Sequence, residues 1–175
     1  MRKWYLWVLL LLWGCTPGRQ GDADLENWPE GKSPLEVGTR LAEDFLQSPH
    51  TLFGDRDTSR KPQYITYPDV CAWLGGLWFA QASVNPEMAA RFEERFLPLL
   101  DADSQLLPRP NHVDNNVFGA VPLELFLQTR KETFLQLGLM YADTQWDLPA
   151  DASPVHREWA RQGYSWQSRV WIDDM

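Results

Sequence analysis

From residue 33 onward the apolar positions recur at helical spacing and form no convincing alternating strand, which predicts an all-α chain. Ser33-Pro34-Leu35-Glu36 is a capping box with proline in the first turn. Val37, Leu41, Phe45 and Leu46 follow as an apolar stripe, and Pro49 closes the run. The next helix is predicted over about 70–83. It is apolar nearly all round (Val70, Ala72, Trp73, Leu74, Leu77, Trp78, Phe79, Ala80), the pattern of a buried inner helix. Gly75-Gly76 inside it predicts a close helix approach. Asn85-Pro86 is a start signal for a third helix carrying Met88, Phe92 and Phe96. A fourth is expected to begin after Asp114 and run toward Gln128, with Pro122 as a kink or early break. A fifth is expected over about 131–144, and a short sixth from near Pro154 to Gly163. Five or six helices with modest loops suggest stacked helical hairpins.

The start of the chain differs in kind. Arg2 and Lys3 precede an apolar run, Trp4 to Trp13, that is short for a membrane span. Leu12-Trp13-Gly14-Cys15 resembles a bacterial lipobox, with Cys15 as the lipidated residue. Residues 1–15 are therefore expected to be a lipoprotein-type signal, with plain secretion as the alternative. Residues 16–32 are polar, rich in Pro, Gly and acidic residues, and suit a flexible tether. Residues 33–175 are expected to be the folded body, anchored at the bacterial cell envelope or free in the periplasm.

The net charge is −8, and removal of Arg2 and Lys3 with the leader makes it more negative. That excludes a basic nucleic-acid face, so an acidic ligand has to be held by local cations. With Cys15 lipidated, Cys71 is a lone thiol; its apolar flanks predict buried packing. His112 stands in a motif, whereas His50 and His156 are expected at the surface. No ligand set at metal spacing accompanies His112 and Asp114, so no metal or cofactor is expected. Ten tryptophans suit either a core or flat platforms for sugar rings.

Three segments carry a family resemblance. They are Tyr67-Pro68-Asp69-Val70-Cys71-Ala72-Trp73-Leu74-Gly75-Gly76-Leu77; His112-Val113-Asp114-Asn115-Asn116-Val117-Phe118-Gly119, followed by Leu123-Glu124-Leu125 and Gln128-Thr129; and Tyr141-Ala142-Asp143-Thr144-Gln145-Trp146, leading to Trp166 through Met175. In order and spacing they resemble the unsaturated glucuronyl and rhamnogalacturonyl hydrolases, glycoside hydrolase families 88 and 105, the latter more closely. The resemblance implies an (α/α)6 toroid of six helical hairpins, with this chain as about its first half. The apolar, aromatic stretch ending at Met175 reads in the same way, as the interior of a larger domain.

The resemblance also implies a chemistry. Polysaccharide lyases leave a 4,5-unsaturated uronate at the non-reducing end of pectic oligosaccharides. The enzyme protonates C4 of that vinyl ether, water adds at C5, and the hemiketal opens and expels the remaining sugar. This differs from displacement at the anomeric carbon by a carboxylate pair. It needs a carboxyl group that is protonated near the working pH.

Asp173 matches the family's general acid/base and Asp114 its second acidic position; two carboxylates sharing a site raise one pKa. Trp73 matches a sugar-contacting tryptophan, Arg169 is a candidate partner for the uronate carboxylate, and His112 is a candidate hydrogen-bonding group. Each has a structural alternative: a helix N-terminal pair for Asp173 and Asp174, an N-cap for Asp114, a core aromatic for Trp73 and an exposed loop charge for Arg169. The competing functions are a non-catalytic glycan-binding surface lipoprotein and a truncated, inactive gene product.

Overall fold

A computed structural model describes residues 27–50, 64–101 and 104–167. These are all-helical: α1 (Pro34–Gln47), α2 (Tyr67–Ala82), α3 (Pro86–Phe96), α4 (Val113–Asn116), α5 (Ala120–Thr129), α6 (Glu132–Thr144) and α7 (Pro154–Arg161). Short 3-10 turns follow α3 at Leu97–Leu100 and α4 at Val117–Gly119. The chain divides into two compact units, residues 1–37 and 38–175. No described helix is long and apolar enough to cross a membrane; Cys15 and the leader lie outside the described residues.

The described part of the first unit is the helix start anticipated from its capping box. The Ser33 N–H donates to Glu36 Oε2 (3.1 Å) and the Glu36 N–H donates to Ser33 Oγ (3.2 Å). Glu36 Oε1 also accepts from the Gly31 N–H, where φ is +72°. One glutamate thus satisfies the Ser33 N–H at the helix start and the Gly31 N–H of the turn before it.

In the second unit, α2 begins at Tyr67 rather than at Val70. Pro68 occupies the first turn, where its missing N–H costs nothing, and Asp69 Oδ2 accepts from both the N–H and the hydroxyl of Thr66 (3.2 and 2.8 Å). Its buried face is Val70, Trp73, Gly76, Leu77 and Ala80. Tyr67, Cys71 and Trp78 are exposed, so the helix is not enclosed all round within the described residues, and Cys71 is not the buried thiol its flanks suggested.

The two α2 glycines are not equivalent. A Cβ on Gly76 would lie 2.0 Å from the ring of Phe92, whereas one on Gly75 would meet nothing within 4 Å. Gly75→Ala is therefore expected to stabilise the protein by up to about 1 kcal/mol through helix propensity. Gly76→Ala forces a buried ring out of place and is expected to destabilise by about 1–3 kcal/mol. Urea denaturation of the two variants checks this difference in sign.

On α1 the buried face is Ala42 and Phe45, and Leu41 is exposed. The stripe is rotated because Gly38 lets Phe79 approach: a Cβ there would lie 2.3 Å from Phe79 Cε2. On α3, Asn85 Oδ1 caps the Met88 N–H (3.0 Å), and Met88, Phe92 and Phe96 are buried as their spacing predicted. Pro122 lies in the first turn of α5 and breaks nothing; the irregular 3-10 turn sits before it. The α6 and α7 spans lie close to expectation, with α7 capped by Ser153 Oγ on the His156 N–H (3.2 Å).

A chain of aromatic contacts runs through the core of this unit. Phe45 meets Trp73 edge-on (5.3 Å), Trp73 meets Phe96 (5.5 Å), Phe96 meets Phe118 and Phe134 (5.8 and 5.7 Å), and Phe118 meets Tyr141 (5.0 Å). The Arg95 guanidinium lies 4.4 Å from the Phe45 ring centre and donates to Ser48 O (2.7 Å). Burial lowers its pKa, and the negative charge of Asp69 partly opposes that.

Candidate functional site

The segment between the Leu97–Leu100 turn and α4 has an alternating anchor pattern. Leu106 O accepts from the Ile65 N–H (2.7 Å), Pro108 O from the Tyr141 hydroxyl (2.5 Å), and Pro110 O from Gln167 Nε2 (2.9 Å). Arg109 O accepts from the Asn111 N–H (2.8 Å), which turns the chain into α4. Prolines at 108 and 110 fix their own φ and disfavour helical backbone at Leu107 and Arg109. Even-numbered carbonyls are tied to the body, while Gln105, Leu107, Arg109 and Asn111 line a cavity of about 500 Å³ together with Tyr64 and Asn115.

Two of these three anchors, Tyr141 and Gln167, are buried polar side chains. Tyr141 is fully buried, and burial raises its pKa well above the ordinary tyrosine value. A phenol held neutral in the folded state contributes stability below its unfolded pKa, near 10, and loses it as pH rises toward the folded value. Tyr141→Phe is accordingly expected to lower stability at neutral pH by about 1–3 kcal/mol, through the stranded Pro108 carbonyl. The gap should narrow above about pH 10, where unfolding of the native protein releases the tyrosine proton. Denaturant melts of both proteins at pH 7 and pH 11 check it.

The turn into α4 holds two expected site residues. His112, not Asp114, is the N-cap: its ring Nδ1 accepts from the Asp114 N–H (3.2 Å). In accepting that bond Nδ1 carries no proton, so the ring N–H is at Nε2. Asp114 Oδ2 lies 3.6 Å from Nδ1, and both side chains are partly open to solvent. Asn116, in the same short helix, is buried and donates to Tyr141 O (2.9 Å). It lines a second cavity, of about 330 Å³, with Val113, Gly119, Leu123 and Gly138.

The third motif segment docks onto this loop. Ser165 Oγ donates to Gln145 O (3.0 Å), Trp166 Nε1 to Thr144 O (3.0 Å), and Gln167 Nε2 to both Thr144 O (3.3 Å) and Pro110 O. Gln167 is 5% exposed, so these bonds are shielded from water.

The structure thus places His112 and Asp114 together. It places Trp73 in the core: the side chain is 0% exposed, and its Nε1–H points at Phe92 O (3.4 Å). A ring packed on Phe45 and Phe96 has no free face for a sugar, so Trp73 is corrected to a structural residue. Arg169 and Asp173 lie outside the described residues. Among the described residues no cluster of three or more His, Cys, Asp or Glu side chains has metal-binding geometry. Arg109 carried no expected role, and Tyr141 and Gln167 stood in the third motif segment without one. Pro108-Arg109-Pro110 was the legible signal, since the second proline disfavours helical backbone at the residue before it. No family model, no curated protein and no solved structure matches the chain.

Proposed function

We propose that the protein is an unsaturated uronyl hydrolase of the rhamnogalacturonyl type, built on an (α/α)6 toroid to which this chain contributes its early hairpins. The observation that supports this reading most is the Gln167–Pro110 hydrogen bond (2.9 Å). It ties the motif that leads into Asp173 to the loop that leads into His112 and Asp114, segments far apart in sequence. In this reading Asp173 protonates C4 of the unsaturated uronate and then takes a proton from the water that adds at C5. Asp114 is the second acidic group of the site, and His112 presents its Nε2–H to the substrate. Cys15 carries a lipid that holds the enzyme at the cell envelope.

Hydration destroys the C4=C5 double bond. Incubation with an unsaturated uronyl-rhamnose disaccharide is therefore expected to bleach its ultraviolet absorbance, and the saturated disaccharide is expected to be inert. Equal cleavage of the saturated sugar would replace this reading with ordinary glycosidic displacement.

A further inference from the structure

We propose that the cavity lined by Arg109 binds the carboxylate of an acidic sugar, with Arg109 as the clamp. The choice of a uronic acid as ligand rests on the hydrolase reading; the anion site itself rests on the cavity. The protein is acidic overall, with 24 carboxylate side chains against 16 Lys and Arg, yet among the described residues no carboxylate lines this cavity. Among the described residues Arg109 has no ion-pair partner, so its charge is uncompensated there. The other lining groups are neutral and suited to hydroxyls: the amides of Gln105, Asn111 and Asn115 each offer donors and an acceptor. Asn115 Nδ2 already donates to Asn111 Oδ1 (3.2 Å), which orients the pair and leaves their remaining donors free to meet a ligand. Tyr64 is 41% exposed and offers a ring on which the C–H face of a sugar can pack.

The backbone under Arg109 is preorganised. The carbonyls on either side of it are held by Tyr141 and Gln167, and Pro110 disfavours helical backbone at Arg109 itself. A ligand therefore meets a guanidinium whose backbone is already ordered, which lowers the entropic cost of binding. The planar fork of arginine matches a carboxylate in bidentate geometry. Among the described lining residues, one cation with neutral amides and an aromatic ring suits a singly charged, hydroxyl-rich ligand better than a phosphate. The volume of about 500 Å³ is in the range of small-molecule sites.

The test is an NMR titration of the 175-residue chain, reading the amide signals of Gln105, Arg109, Asn111 and Asn115. The probes are methyl galacturonoside, methyl galactoside and inorganic phosphate; the saturated uronoside is not turned over, so binding is read apart from catalysis. The uronoside is expected to shift these signals saturably and to bind about tenfold or more tightly than the neutral sugar or phosphate. Arg109→Gln should bring the uronoside to the level of the neutral sugar, and Arg109→Lys should fall between. Equal binding of uronoside and galactoside, phosphate binding as tight as the uronoside, unchanged affinity in Arg109→Gln, or no shift with any probe would each overturn the proposal. Uronoside binding here without bleaching of the unsaturated disaccharide would remove the hydrolase and keep the site. Bleaching with an unaffected Arg109→Gln titration would do the reverse.

Discussion

Trp73→Ala is expected to destabilise the protein by about 3–5 kcal/mol, the range for deleting a large buried aromatic. Its ring is closed off from solvent and contacts Phe45 and Phe96 edge-on, and Arg95 lies 5.4 Å from its centre. Deletion leaves a cavity at the junction of α1, α2 and α3, where Phe92 and Phe96 are also fully buried. Collapse is resisted because Gly76 already admits the Phe92 ring as closely as backbone allows. Domains of this kind have roughly 5–15 kcal/mol in total, so the variant should unfold at far lower urea. Trp73→Phe keeps most of the packing and loses the bond to Phe92 O, and should cost about half as much or less. A Trp73→Ala protein of native stability that binds uronate poorly would return this residue to the ligand site.

The second large expected effect follows from the proposed hydrolase mechanism and concerns Asp173. Asparagine has nearly the same shape and cannot donate the proton to C4. Removal of a general acid/base typically slows turnover by roughly 10²–10⁴-fold, and Asp173→Asn is expected in that range. Asp114→Asn should also slow the reaction. Initial rates of absorbance loss across pH, with circular dichroism to verify folding, give both numbers. Near-normal turnover in Asp173→Asn would move the acid to Asp174 or elsewhere.

The parts of the fold that were legible in the sequence are those set by local chemistry. The Ser33–Glu36 box, the Asn85 cap and the 88-92-96 stripe each act within a few residues, and each is found where expected. What was not legible depends on partners distant in sequence. Leu41 has the right spacing for burial, but Gly38 lets Phe79 in, so α1 turns Ala42 and Phe45 inward. The all-round apolar character of α2 could not say which side a neighbour covers, and Cys71 and Trp78 are on the open side. A buried tryptophan and a sugar platform have the same local sequence; only the contacts with Phe45 and Phe96 separate them. For the site, His112 and Asp114 were readable as a motif, but the support beneath them was not. Tyr141 and Gln167 act through hydrogen bonds to Pro108 and Pro110 that no local pattern encodes.

The proposed protonation at C4 of a vinyl ether can be read by running the reaction in deuterium oxide. One solvent deuterium is expected at C4 of the released uronate, with loss of the double bond in step with sugar release, and loss of both in Asp173→Asn. Released uronate that retains its double bond and carries no deuterium would contradict it.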